Sequence, residues 1–94
     1  MKIEITKDFR LDLDSQIRYI SKDKPNAARK FKADLIKKIK KDLKNPFNFK
    51  KSQYYKDDKN IRDYVFNGYT IIYYIDVEQK LVSVFGFIKY KDSL

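Results

Sequence analysis

One dipeptide constrains this chain more than any other feature. Asn67-Gly68 stands between Ile61–Phe66 and Tyr69–Asp76, two runs rich in β-branched and aromatic residues. Asn-Gly accepts positive φ at both central positions of a two-residue turn, so the pair predicts a tight β-hairpin. The second run, Tyr-Thr-Ile-Ile-Tyr-Tyr-Ile, is apolar at consecutive positions. Neither of its faces can be left to water, which puts it in the middle of a sheet. Val77-Glu78-Gln79 turns the chain, and Lys80–Ile88 reads as the next strand. The three runs should lie as consecutive antiparallel neighbours.

Upstream the hydrophobic period changes. Lys2–Thr6 alternates polar and apolar, as a short strand does. Phe9, Leu13, Ile17 and Ile20 then recur at spacings of four, four and three, which is one face of a helix with Thr6 or Asp8 available as its cap. Ser21-Lys22-Asp23-Lys24-Pro25 ends that helix. Pro25 suits the first turn of another, where its missing N–H costs nothing. Ala28, Phe31, Leu35, Ile39 and Leu43 form the buried stripe of this second helix, with Ala27 and Ile36 beside it. Asn45-Pro46 stops it, Asn serving as a left-handed cap. Phe47–Lys59 is a loop, in which a short strand around Ser52–Lys56 is left open.

The order β-α-α-β-β-β predicts an α+β fold, one domain over residues 1–94. An N-terminal strand and an antiparallel helical hairpin pack on a twisted antiparallel sheet of four strands, or five if the loop strand forms.

Composition narrows the chemistry. The chain has no Cys and no His. A disulfide scaffold, a thiol nucleophile and a Cys-based metal site are therefore excluded, and so is the commonest general base. Neither a metal nor any other cofactor is expected, and Asp57-Asp58 reads as a turn. The N-terminus goes straight into structure without an apolar leader, and no stretch is long enough to span a membrane. The expectation is a cytoplasmic protein.

The net charge of +9 is concentrated. Residues 22–51 hold twelve Lys or Arg against three Asp, while the segments on either side are balanced. One basic helix and its trailing loop thus make a patch that attracts polyanions, unless they are simply a solvated face.

Several motifs, in order, resemble the RelE/ParE toxins. They are Pro25-Asn26-Ala27-Ala28-Arg29-Lys30-Phe31 opening the second helix, Leu43-Lys44-Asn45-Pro46 closing it, and Ile61-Arg62 entering the hairpin. Asn67-Gly68-Tyr69-Thr70-Ile71-Ile72-Tyr73-Tyr74-Ile75 follows, then a last apolar strand running into Lys89-Tyr90-Lys91. The helix-opening motif and the length of the chain look more like the ParE branch. The resemblance implies the toxin of a type II toxin–antitoxin system, of the kind linked to plasmid stabilization and growth inhibition. Its partner would be a cognate antitoxin, expected to be acidic against a +9 toxin. RelE-like members cut messenger RNA in the ribosome as metal-independent endoribonucleases, whereas ParE-like members inhibit DNA gyrase without cutting nucleic acid. Whether this chain is an enzyme is left open.

RNA cleavage through the 2′-hydroxyl needs a base, cations to stabilise the phosphate and an acid for the leaving oxygen. The resemblance places functional cations at Arg62 and Lys91, flanked by Lys89 and Tyr90. The opposing reading has Arg62 pairing with Asp63 or Asp76. Two departures count against the nuclease: Thr70 stands where RelE-like toxins carry an Arg after Gly-Tyr, and no aromatic acid/base lies at the family's position near the C-terminal end. The lysines Lys30, Lys37, Lys38, Lys41, Lys44, Lys50 and Lys51 could meet nucleic-acid phosphates, without sequence preference, or an acidic antitoxin. Tyr54, Tyr55, Tyr64, Tyr69, Tyr73 and Tyr74 could stack on bases, although sheet packing is the plainer expectation. The alternative to a toxin is a non-toxic nucleic-acid-binding module that uses the basic helix alone.

Overall fold

A computed structural model describes residues 1–89. Its elements run β1 (Lys2–Ile5), α1 (Lys7–Ser21), α2 (Pro25–Asp42), a 3₁₀ turn (Pro46–Asn48), β2 (Ile61–Phe66), β3 (Tyr69–Asp76) and β4 (Leu81–Lys89). Thr6 caps α1, its hydroxyl accepting a 3.2 Å hydrogen bond from the Phe9 N–H. Pro25 takes the first helical position of α2. The end of α2 differs from expectation. Asn45 has φ −115°, so no left-handed cap forms, and the chain passes directly into the 3₁₀ turn that Pro46 opens.

Asn67 and Gly68 both have positive φ, 48° and 82°. This is the backbone of a type I′ turn, and it sets the register Phe66↔Tyr69 through Ile61↔Tyr74. The sheet order is β1-β4-β3-β2, so β2, β3 and β4 are consecutive antiparallel neighbours. The first strand behaves differently. It pairs parallel to β4, with Ile3 opposite Val82, and the sheet is mixed where an antiparallel one was expected. Alternation identifies a strand but is silent on its neighbour and direction. The loop strand near Ser52 reduces to a single bridge between Lys51 and Arg62, so no fifth strand stands among the described residues.

The helices cover one face of the sheet. Phe9, Leu13, Leu35, Ile39 and Leu43 meet Tyr64, Ile71, Tyr73, Ile75, Val82 and Val84 in the core. Phe9 packs edge-on against Phe87, and Phe31 lies between Phe66 and Tyr69. Burying this many large side chains, each contributing about 1.5–3 kcal/mol, is the main favourable term for so short a chain. Ala28 is buried as expected, whereas Ala27 faces solvent. On the other face Thr70 and Ile72 are buried too, in keeping with a β3 that is apolar throughout. A register shift beside Ile72 brings Gly86 so close that a Cβ there would lie 2.9 Å from the Ile72 Cβ.

Candidate functional site

Arg62 sits on β2, the edge strand of the meander. Its guanidinium does not reach outward as a free cation. Nε donates to the Lys59 carbonyl at 2.9 Å, and Nη1 donates to the carbonyls of Phe49 at 2.7 Å and Phe47 at 3.4 Å. The same group lies 5.3 Å from the centre of the Phe47 ring. One planar fork thus ties together the start of β2 and the segment that leaves α2, a geometry suited to Arg and not to Lys. Neither Asp63 nor Asp76 receives a hydrogen bond from it among the described residues. Tyr73, its cross-strand partner, adds to the same clamp: the phenol donates to the Pro46 carbonyl. Burial pushes the Tyr73 phenol well above its ordinary range, with the Arg62 charge partly opposing. Tyr64 donates to Asp42 at 2.6 Å, and it too is pushed up, first by burial and then by that carboxylate.

Lys89 lies elsewhere. It is registered with Tyr69, whereas Arg62 is registered with Tyr73, four residues along β3. Four residues of strand span about 13 Å, and the two residues lie on opposite neighbours of β3, about 10 Å apart across it. Lys89 sits 5.5 Å from the Tyr19 ring centre at the far end of α1. The structure therefore does not bring Arg62 and Lys89 together. Tyr90 and Lys91 lie outside the described residues. Thr70, at the position where the RelE-like resemblance expects an Arg, is an uncharged and largely buried side chain.

The lysines of α2 separate by face. Lys37, Lys38 and Lys41 line one groove of about 370 Å³ with Asp34, Phe66 and Asn67 at the hairpin tip. Lys30 is paired with Asp34, and Lys32 bridges to Asp14 of α1. Lys44 stands apart at the helix end, beside Met1 and Phe47. Lys50 and Lys51 line a second and larger bay, about 570 Å³, whose other wall is Asp63, Tyr64, Val65 and Thr70. The two cavities lie on successive stretches of β2.

From residue 3 to residue 92 the sequence matches the family model described as the ParE toxin of type II toxin–antitoxin system, parDE. The chain belongs to the ParE toxin family. No curated protein matches it in sequence. As a ParE-family toxin it works in a type II system and has an antitoxin as partner. No helix among the described residues is long and apolar enough to cross a membrane. No group of three or more acidic, His or Cys side chains among them could hold a metal ion.

Sequence reasoning missed one feature of this ParE toxin's surface. Asp63 Oδ2 accepts from the Gln53 N–H at 3.1 Å, but Oδ1 is buried with no hydrogen-bond partner among the described residues. No local pattern announces it. An Asp in a strand-entry motif looks like any surface carboxylate until the loop folds beside it. The exposed tyrosines Tyr54 and Tyr55 gather in that loop, where Tyr55 meets Phe85 edge-on, while Tyr64, Tyr69 and Tyr73 are core residues.

Proposed function

We propose that this ParE-family toxin arrests growth by binding DNA gyrase as a protein ligand, without cutting RNA. The carrying observation is the engagement of Arg62 by three backbone carbonyls. A guanidinium held in this way serves the fold, and no second described cation converges on it to grip a phosphate. Buried Thr70 removes a further cation that a RelE-like nuclease uses. The contact surface would then be the basic face of Lys37, Lys38 and Lys41, with Lys50 and Lys51 beyond it. The antitoxin would be an acidic, partly disordered protein, drawn in quickly by a toxin of net charge +9. Both events would occur in the cytoplasm.

Induced expression without an antitoxin tests this. Double-strand DNA breaks and filamentation with intact transcripts are expected. Cut messenger RNA and halted translation would overturn the gyrase reading in favour of a metal-independent endoribonuclease. Harmless expression, with nucleic-acid binding lost in the Lys37→Glu/Lys41→Glu double variant, would instead leave a non-toxic binding module.

A further inference from the structure

Strand β1 ends the sheet on the side opposite β2. The Lys2 N–H donates to the Lys80 carbonyl at 3.1 Å, and the Thr6 N–H donates to the Val84 carbonyl at 3.0 Å. In a ladder the N–H and C=O of one residue point to the same side, and alternate residues share that side. Residues 2, 4 and 6 therefore face β4, whereas Ile3 and Ile5 turn their backbone groups outward. Arg10 Nε donates to the Ile5 carbonyl at a long 3.5 Å. On that side no hydrogen bond among the described residues reaches the N–H or C=O of Ile3.

The side chains of β1 alternate between the two faces. Ile3 and Ile5 pack on the core, while Lys2 and Glu4 stand exposed on the face away from the helices. Neither Lys2 nor Glu4 has an ionic partner among the described residues. An open strand edge is ordinarily guarded by proline, a bulge or lysines. This one has no proline, and its two charges have opposite signs at positions two apart. Laid antiparallel on a copy of itself about Ile3, Lys-Ile-Glu is its own complement. Lys2 falls opposite Glu4 of the second copy, Ile3 opposite Ile3, and Glu4 opposite Lys2.

We propose that β1 pairs antiparallel with β1 of a second copy of this chain, joining two four-stranded sheets into one of eight strands. The two-fold axis passes between the two Ile3 residues, which exchange both of their open backbone hydrogen bonds. That axis stands perpendicular to the sheet, so both helical layers lie on one side of it. The two Lys2–Glu4 pairs lie on the other side, with Cβ atoms about 5 Å apart. An acidic segment fits worse, since it sets a carboxylate against Glu4. Nucleic acid fits worse still, because a phosphate has no N–H to offer the Ile3 carbonyl. The seam is short beside a permanent dimer, which buries about 800 Å² on each partner. Lys40 and Lys44 also line cavities that reach Ile5 and Met1, which brings like charges toward it. The pairing is therefore reversible, and salt strengthens it by screening the +9 on each copy. Association with a polyanion has the opposite salt dependence. The inference stands apart from the identity of the toxin's target.

The test is sedimentation of the whole chain up to about 1 mM, joined to residue-resolved amide hydrogen exchange. The mass should rise from one chain toward two with concentration, and further as salt goes from about 0.1 M to about 1 M. Exchange at the Ile3 N–H should slow about tenfold when about nine-tenths of the chains are paired. The Lys2 N–H, already bonded to Lys80, should change little. Lys2→Glu sets like charges opposite each other at both ends of the seam. It should weaken pairing about tenfold, although it lowers the net charge. Adding Glu4→Lys restores both the net charge and the complementarity, and should recover the pairing. Ile3→Pro, which removes an outward N–H and no bond to β4, should abolish it. If that variant fails to fold, the two charge variants still decide the matter. A single-chain mass at about 1 mM in about 1 M salt would overturn the proposal. So would a dimer that leaves Ile3 unprotected, or one that Lys2→Glu strengthens. A peptide alternating Glu and Val that protects Ile3 in dilute protein would replace the second copy with an acidic segment.

Discussion

The molecule has two cationic regions, and they are built on opposite principles. At the start of β2, Arg62 is surrounded by acceptors and holds three carbonyls with one side chain. On the outer face of α2, Lys37, Lys38 and Lys41 stand exposed along a groove with a single carboxylate, Asp34, which already pairs with Lys30. A formal charge therefore says little about role. Its neighbours decide: a cation whose donors are already taken maintains the fold, and one whose donors remain open can meet a partner.

The sharpest way to break this contrast is to cut the fork. Arg62→Ala should cost about 3 kcal/mol, since it leaves two well-made carbonyl acceptors without their charged donor. For a domain of this size that is a fall in Tm of about 15 °C by calorimetry. Arg62→Lys should recover little of it, because an ammonium cannot span the Lys59 and Phe49 carbonyls together. A variant that lost toxicity at unchanged Tm would make Arg62 a functional cation after all. Tyr73→Phe probes the same clamp more gently. It removes the donor to the Pro46 carbonyl and should cost about 1–2 kcal/mol.

The clamp also carries a pH signature. Tyr64 and Tyr73 are held neutral in the fold, their phenols raised above the usual value near 10. Folding stability is complete below pH 10, where the phenols are neutral folded or unfolded. It declines as pH rises past 10, because only the unfolded chain can then ionise them. Denaturant unfolding between pH 9 and pH 11 should show the decline, and Tyr73→Phe should flatten it. An unchanged slope would mean that the phenol is not held in the way the geometry implies. The smallest effect belongs to the lysines. Lys37→Glu with Lys41→Glu should move stability by less than about 0.5 kcal/mol in a melt, while reversing the local field that any anionic partner meets.

Much of the fold was legible because it is written locally. Pro25 marked the start of α2, Asn67-Gly68 marked the hairpin, and the two-sided apolarity of Tyr69–Ile75 marked an interior strand. What was not legible depends on residues distant in sequence. Nothing in Lys2–Ile5 tells that it will lie parallel to β4. The acceptors of Arg62 are backbone carbonyls of a loop as many as fifteen residues away, and carbonyls leave no trace in composition. Ala27 looks apolar yet faces water, since a small side chain says little about which side of a helix it is on. The lysines were countable in the sequence, but their division between one groove, one bay and the helix end was not.

The pairing of β1 with β4 has a consequence for how the chain is made. Strand β4 is the bridge of the sheet: β1 touches nothing else in it, and β3 would be bare on one side without it. As the polypeptide leaves the ribosome, its first and last strands stay strangers until residues 81–89 emerge. Contacts that span nearly the whole length form late. Until β4 forms, β1 therefore has no place in the sheet, β3 lacks its second neighbour, and the core is missing Val82 and Val84.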